Sequence, residues 1–336
     1  MTTYKEIFGK QVKNLSSDPP TAISEGQIWY NTSSNTFKST LAVAAWSSGG
    51  NLPQVVSYNS GAGTQTAALS IAGQKGSTSV LADVYEYDGS SWTDSGAPVN
   101  PFYGGATPPQ SSYYMAATGT QTAALIVGGG EQTNVVGEYN GSAWTSGGSY
   151  PISQVSLSSA SGVQTAAINV GGYSPPPGYA PQVLTYNGSS WSVSPVAFPT
   201  PSAGLSSAGT TTALLVSGGT GSPGPVAIAQ EWNGSSWTTV GAPSAPKNYA
   251  KSTGIQTLAL KMFGTTGGTE QYNGSSWTTV ANQANARDWA TGGGSNDSSG
   301  TTGVQFGGKL GGGGPTFTAA TEEFNTADTV RTLTSS

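Results

Sequence analysis

Two residue types that carry much of the familiar chemistry of proteins are missing from this 336-residue chain. The absence of cysteine excludes a disulfide, a thiolate nucleophile and a cysteine-ligated metal. The absence of histidine removes the usual general base at neutral pH and the commonest zinc ligand. Most known types of hydrolytic and oxidative site are thereby excluded, and we expect no catalytic residue, metal or cofactor.

Charged residues are also scarce, at 8% of the chain against about 25% in an average soluble domain. The net charge is −5 and basic residues are not concentrated anywhere, so we expect no nucleic-acid partner. No apolar run approaches the roughly 20 residues that cross a bilayer, and the N-terminus lacks the basic and apolar regions of a signal peptide. We therefore expect neither membrane insertion nor an ordinary export signal.

What the chain does contain is repetition. The segment "YNGSSW" at 272–277 recurs with small changes at 87–92, 139–144, 186–191 and 232–237. Trp46 stands in a similar setting, "AAWSSGG", so successive tryptophans lie 46, 52, 47, 46 and 40 residues apart. Repeats of 40 to 50 residues are typical of propeller blades.

A second repeated element precedes each "YNGSSW" copy. It reads "GTQTAALSIAG" at 63–73 and recurs at 119–129, 162–172, 209–219, 254–264 and, in a degraded form, at 300–308. Its alternation predicts a buried strand, preceded by an inner strand of small residues such as 249–254 and followed by a third strand such as 136–139. Four strands in each of six units predict an all-β, six-bladed, kelch-like β-propeller.

The Asn-Gly pair of the motif predicts a two-residue type I′ turn between the third and fourth strands. In that register Tyr139 lies opposite Ser142, and Trp144 points to the same side as Tyr139. We therefore expect the aromatic residue and the tryptophan of each motif to fill the space between neighbouring blades.

The two ends of the chain complement each other. Residues 42–50 resemble a fourth strand without the preceding three, and residues 288–325 resemble three strands without a tryptophan-bearing fourth. We expect N- and C-terminal strands to overlap and close the ring over 41–336, which hides the sheet edges. The alternative, that residues 326–333 supply the last strand, remains open. We expect residues 1–40 to form an N-terminal arm with a separate hairpin at 26–39, and residues 1–24 are either a docking tether or a disordered tail.

The order of apolar strand, Gly-Gly, aromatic residue and tryptophan resembles kelch-type propeller repeats across residues 42–325. A closer likeness is to the repetitive propeller-like proteins of marine tailed bacteriophages, particularly those that infect cyanobacteria. In that family "GTQTAAL", "YNGSSWT" and "EGQIWYNTSSNTFK" occur together, as they do here at 63–69, 272–278 and 25–38.

This resemblance implies a structural protein of the virion, assembled in the host cytoplasm. It implies a tail or fibre protein whose loops attach to a host-surface glycan or protein, with the N-terminal arm bound to other virion proteins. The alternative is a purely architectural or capsid-decorating propeller, and an oligomer is left open.

The loops predict where a ligand binds. Connections on one side of the ring are short and uniform, whereas those on the other vary in length and composition, for example at 95–112, 171–182, 218–230 and 307–320. Binding usually resides in variable loops on a repeated scaffold. The predicted ligand-binding residues are Phe102, Tyr103, Tyr173 and Tyr179, and the alternative is that these aromatic side chains fold back over the blade tops.

A glycan-degrading enzyme is a further alternative, since a glycosidase needs only two carboxylates. Four of the candidates occupy the position before the motif aromatic, which packing explains better, and we expect no enzyme activity. The candidate carboxylates are Asp83, Glu86, Glu131, Glu138, Glu231, Glu270, Glu322 and Glu323.

Overall fold

The computed structural model describes residues 12–20, 27–76, 79–99, 113–130, 134–152, 158–174, 178–264, 266–293, 300–310 and 316–333. These residues form an all-β protein with a β-propeller arrangement. Within them there is no helix that could span a membrane. The chain divides into two compact units, one of residues 46–324 and a smaller one of residues 1–45 with 325–336.

Five antiparallel four-stranded sheets follow one another in the larger unit, and we number them as blades. Blade 1 consists of β4 (Ser60–Thr64), β5 (Ala67–Lys75), β6 (Ser79–Tyr87) and β7 (Trp92–Asp94). Blade 2 consists of β8 (Ala116–Thr120), β9 (Ala123–Val127), β10 (Val136–Tyr139) and β11 (Trp144–Ser146). Blade 3 consists of β12 (Ser159–Val163), β13 (Ala166–Val170), β16 (Val183–Tyr186) and β17 (Trp191–Val193).

Blade 4 consists of β18 (Ser206–Gly209), β19 (Leu214–Ser217), β20 (Ala229–Trp232) and β21 (Trp237–Thr239). Blade 5 consists of β22 (Lys251–Ile255), β23 (Leu258–Met262), β24 (Thr269–Tyr272) and β25 (Trp277–Thr279). Two short pairs lie outside the blades: β14 (Tyr173–Ser174) with β15 (Gly178–Tyr179), and β26 (Arg287–Asp288) with β29 (Lys309–Leu310). The first strand of each blade is its inner strand.

The remaining strands form one six-stranded sheet, which we call the terminal sheet. Its order is β1-β2-β3-β30-β28-β27. The bounds are β1 (Lys13–Leu15), β2 (Ile28–Asn31), β3 (Thr36–Ser48), β27 (Thr291–Gly293), β28 (Thr302–Phe306) and β30 (Thr321–Thr332). Six blades were predicted and five are found, because the strands expected to form the last blade belong to this larger sheet. Residues 326–332, the alternative source of a separate last strand, continue β30.

The smaller unit contains the predicted hairpin. Strands β2 and β3 pair antiparallel from Ile28 with Ser39 to Asn31 with Thr36, and β1 runs parallel to β2. Asp18 fastens β1 to this hairpin, since its carboxylate accepts a hydrogen bond from Asn31 at 2.6 Å and forms an ion pair with Lys38 at 2.8 Å. These bonds hold the pKa of Asp18 below its usual value.

The motif aromatics pack between neighbouring blades, as predicted. In blade 2, Tyr139 and Trp144 have ring centres 5.0 Å apart and lie in one buried cluster with Leu69, Ile71 and Val84 of blade 1. Equivalent clusters join blades 2 and 3, blades 3 and 4, and blades 4 and 5. Another joins blade 1 to β28 of the terminal sheet. Each aromatic ring therefore completes the apolar core of the preceding sheet in the chain's order around the propeller.

Hydrogen bonds across the same junctions connect a motif tyrosine to a glutamate of the neighbouring sheet. The glutamate is the residue just before the neighbour's own motif aromatic. The pairs are Tyr87 with Glu323 at 2.5 Å, Tyr139 with Glu86 at 2.8 Å, Tyr186 with Glu138 at 2.5 Å and Tyr272 with Glu231 at 3.0 Å. Where the neighbouring sheet has Thr185 or Gln271 instead of glutamate, the motif aromatic is Trp232 or Phe324, which has no hydroxyl.

A glutamine side chain also crosses each junction that has a tyrosine-glutamate pair. In "GTQTAAL", Gln121 of blade 2 donates to the carbonyls of Ala68 and Tyr87 in blade 1, at 3.1 and 2.7 Å. Equivalent pairs of bonds are made by Gln65, Gln164 and Gln256. Thr211 and Gly300 occupy this position at the two junctions without a tyrosine-glutamate pair. The two contacts therefore occur together or not at all.

The motif turn differs from the prediction. Tyr139 pairs directly with Trp144, which leaves a four-residue loop. The Asn140 Oδ1 accepts bonds from the backbone N–H groups of Ser142 and Ala143 at 3.0 and 2.9 Å, and the left-handed φ of 90° belongs to Gly141. The predicted type I′ turn is wrong because the asparagine side chain closes the loop. The prediction that the tyrosine and tryptophan share one face is confirmed by their pairing.

Asn187 closes the equivalent turn of blade 3, and we expect Asn187→Asp to preserve that turn and Asn187→Ala to weaken it. Blade 1 already uses an aspartate, whose Oδ1 accepts from the N–H groups of Ser90 and Ser91 at 2.8 and 2.7 Å. Alanine removes the acceptor, which should lower the free energy of unfolding by about 1 kcal/mol. Urea denaturation of the two variants measures the difference, and equal stabilities would contradict this account of the turn.

Candidate functional site

The structure describes two of the four predicted ligand-binding residues. Tyr173 and Tyr179 pair across the short β14–β15 hairpin, and their rings meet edge to face with centres 5.8 Å apart. Tyr173 is 38% exposed, and Tyr179 is half-buried. Phe102 and Tyr103 lie outside the described residues. A ligand-binding role for these four residues stays a prediction.

Four other aromatic residues meet where the chain enters the inner strands. We call Tyr58, Tyr114, Tyr249 and Trp289 the aromatic cluster; each lies two residues before an inner strand or, for Trp289, before β27. All four are half-buried. The distances between ring centres are 4.7 Å for Tyr58–Tyr114, 4.8 Å for Tyr58–Trp289, 5.4 Å for Tyr114–Trp289 and 3.6 Å for Tyr249–Trp289.

The backbone of every member of the aromatic cluster is left-handed, with φ between 55° and 61°. This conformation costs a bulky residue about 1–2 kcal/mol. It aims backbone N–H groups at the neighbouring sheet, since Tyr114 donates to the Tyr58 carbonyl at 3.1 Å and Tyr249 to the Gly204 carbonyl at 2.9 Å. Gly204 has the same conformation, with φ of 62° and no side chain. The turn therefore does not need an aromatic ring.

A lysine and further phenols surround the aromatic cluster. The Nζ of Lys309 lies 4.5 Å from the ring centre of Tyr58 and donates to the Tyr58 hydroxyl at 2.5 Å. Burial, and then the nearby Tyr58 phenol, raises the pKa of Tyr114. Burial, and then the nearby Tyr179 phenol, raises the pKa of Tyr249. Tyr179 therefore acts electrostatically on Tyr249, which connects one predicted residue with a site that the sequence did not predict.

Among the described residues, one cavity is lined by the aromatic cluster, and a second cavity shares Met115, Ser158, Leu205 and Lys251 with the first. The first, which we call the mouth cavity, has a volume of about 40 Å³ and is lined by all four cluster rings together with Asn59, Ser158 and Lys251. The second, which we call the axial cavity, has a similar volume. Its wall takes two consecutive residues from each of six strands: Ser60 and Gly61, Ala116 and Ala117, Ser159 and Ala160, Ser206 and Ser207, Lys251 and Ser252, and Thr291 and Gly292.

The candidate carboxylates of the enzyme alternative lie elsewhere. Four accept the interblade tyrosine bonds described above. Glu270 accepts from the backbone N–H of Ser244 at 3.1 Å, and Glu322 forms a buried ion pair with Arg287. Asp83 accepts from Gln54 at 2.7 Å, and Glu131 lies outside the described residues. Within the described part of the chain, neither cavity is lined by an aspartate or glutamate.

The sequence contained a signal for the aromatic cluster that the predictions did not use. Tyr58, Tyr114 and Tyr249 each stand five residues before the glycine that opens a "GTQTAAL"-type element. Aligning the repeats from that glycine backwards places three tyrosines in one column. The prediction followed long variable loops instead, whereas these residues lie in short linkers next to the strands.

A scan against models of protein families found no match, and a search of curated proteins found no significant relative.

Proposed function

We propose that this chain is a virion protein of a tailed bacteriophage whose propeller attaches to a glycan on the host surface. The observation that carries the binding role is the aromatic cluster, whose four half-buried rings line the mouth cavity. Flat aromatic faces beside a few polar groups suit the apolar faces and hydroxyls of sugar rings. The phage assignment rests on the sequence resemblance alone.

The cost of the left-handed backbone supports a binding role. Such conformations concentrate at ligand sites, where surrounding structure holds them in place. Four aromatic residues at equivalent positions on different sheets have this strained backbone conformation, although a glycine would form the same turn without strain. Selection for a ring surface explains the repeated choice. The predicted loop residues Phe102, Tyr103, Tyr173 and Tyr179 extend this proposal to the variable loops.

We further propose that the ring has six kelch-like blades, the last one completed by overlap of the two chain ends. Trp46 of β3 packs on Phe324 of β30 with ring centres 5.5 Å apart. The two motif aromatics pack in the same way in each of blades 1 to 5. Its Nε1 donates to Thr269 Oγ1 and to the Ala281 carbonyl, both at 3.0 Å. The axial cavity with six contributing strands also supports this closure.

We expect Trp46→Ala to lower the free energy of unfolding by about 3 kcal/mol, because it removes a ring and two hydrogen bonds from the closing blade. Val193→Ala is the control, since Val193 is 52% exposed and should change stability by less than about 0.5 kcal/mol. Urea denaturation compares the two. A Trp46 variant no less stable than the control would contradict closure through this residue.

Attachment is tested with purified protein and cyanobacterial cells that the phage infects. We expect the protein to adhere, and Tyr249→Ala to weaken adhesion roughly tenfold because it removes one stacking face. Tyr249→Phe keeps the ring and should keep adhesion. The three proteins should have the same thermal midpoint within a few degrees. Absence of adhesion by the unchanged protein, or equal adhesion by the alanine variant, would reject the proposal.

An architectural or capsid-decorating role is the second candidate, and the smaller unit supports it. Phe37, Leu41 and Leu333 are 49%, 46% and 44% exposed there. Exposed apolar side chains favour contact with another protein. In this alternative the predicted arm of residues 1–40 binds other virion proteins, and the propeller of residues 41–336 acts as a spacer or an oligomer contact.

A further inference from the structure

Lys251 stands out among the residues around the two cavities. It is the first residue of β22 and lines both the mouth cavity and the axial cavity. The first residues of the equivalent strands are all small and uncharged: Ser60, Ala116, Ser159, Ser206 and Thr291. The repeated scaffold therefore forms this wall without a cation, and the lysine is specific to one blade.

The buried cations among the described residues of the larger unit have partners, whereas Lys251 is half-buried. Lys261 donates to Ser217 at 2.8 Å and lies near the Glu270 carboxylate, and Arg287 pairs with Glu322. Lys251 has neither an acceptor nor a neighbouring carboxylate among the described residues. Burial consequently lowers its pKa to about 8, a change that a bound anion would reverse.

Neighbouring polar atoms also lack partners. The buried hydroxyl of Ser252, the next residue of the axial wall, makes no hydrogen bond to the described residues. The Oδ1 of Asn59, in the wall of the mouth cavity, likewise accepts none from them. An ammonium and a hydroxyl can donate to an anion, while the amide oxygen can accept from a sugar hydroxyl. Unpaired buried polar groups of this kind call for a ligand or water.

Size decides which part of a ligand enters. One water molecule needs a cavity volume of roughly 10–15 Å³. The mouth cavity, with about 40 Å³, therefore holds about three water-sized groups. This suits a carboxylate or a sulfate group and is too small for a sugar ring. The ring would stay outside, on the aromatic cluster.

We propose that the mouth cavity binds an acidic sugar residue, with its carboxylate or sulfate group at Lys251, which lines both cavities, and its ring against Tyr249 and Trp289. This inference rests on the proposed glycan-binding function and narrows the ligand to one chemical class. Among the described residues, the other charged or titratable side chains next to the aromatic cluster are Lys309, Asp288 and the phenols of Tyr58, Tyr113, Tyr114, Tyr179 and Tyr249. Only Asp288 carries a carboxylate, and it lines neither cavity.

The test is calorimetric titration at pH 7 with methyl β-D-glucuronide, methyl β-D-glucoside and methyl β-D-glucoside 6-sulfate. We expect at least one acidic probe to bind roughly tenfold or more tightly than the neutral one, and the tighter of the two identifies the anionic group. Lys251→Met should remove this preference. Lys75→Met, which changes an exposed lysine of β5, should retain it.

The methionine variant should fold, because it replaces an unpaired, half-buried charge with an apolar side chain of similar length, and its thermal midpoint should equal or exceed that of the unchanged protein. Equal binding of acidic and neutral probes, or a preference that survives Lys251→Met, would overturn the inference. Cell adhesion without any acidic preference would reject this ligand class and leave the attachment function in place. An acidic preference without adhesion would support the site and reject host attachment.

Discussion

Each blade is joined to its neighbour by side chains that cross from one sheet to the next, and the ring depends on these contacts. A tyrosine hydroxyl donates to a glutamate, and a glutamine caps two carbonyls of the same neighbouring sheet. Few charges and much glycine leave this chain with limited means of stabilisation. The buried aromatic ring contributes apolar contact area to a junction, and its hydrogen-bonded hydroxyl fixes the orientation of the ring. At junctions without glutamate the partner is Trp232 or Phe324, so no hydroxyl is left without its carboxylate.

The repeats made the architecture predictable because their period of apolar and polar residues matches a pleated strand. The third strand expected at 136–139 is Val136–Tyr139, and the hairpin expected at 26–39 is present. The turn was mispredicted because local Asn-Gly statistics omit the side-chain acceptor of Asn140. The aromatic cluster was missed for a different reason. Its members are far apart in sequence, and only the closing of strands around one axis brings them together.

Scaffold and site follow opposite rules in this molecule. Residues that recur at most junctions, such as Tyr139 and Gln121, bond to the neighbouring sheet and are fully engaged in packing. Lys251, which departs from the repeat, has no hydrogen-bond acceptor among the described residues, and the equivalent strands begin with serine, alanine or threonine. A ligand preference would thus come from single departures on an otherwise uniform wall, and such departures can change without disturbing the ring.

The central claim, that tyrosine-glutamate pairs couple neighbouring blades, is tested most directly by a double-mutant cycle on Tyr139→Phe and Glu86→Ala. The two side chains meet at 2.8 Å, and burial together with the Glu86 bond raises the pKa of Tyr139 to about 12. Urea denaturation should give a coupling energy of about 1–2 kcal/mol for this pair. The control cycle combines Tyr139→Phe with Glu138→Ala and should give additive losses, because Glu138 accepts its bond from a different tyrosine, Tyr186. A coupling energy near zero for Tyr139 and Glu86 would contradict the account.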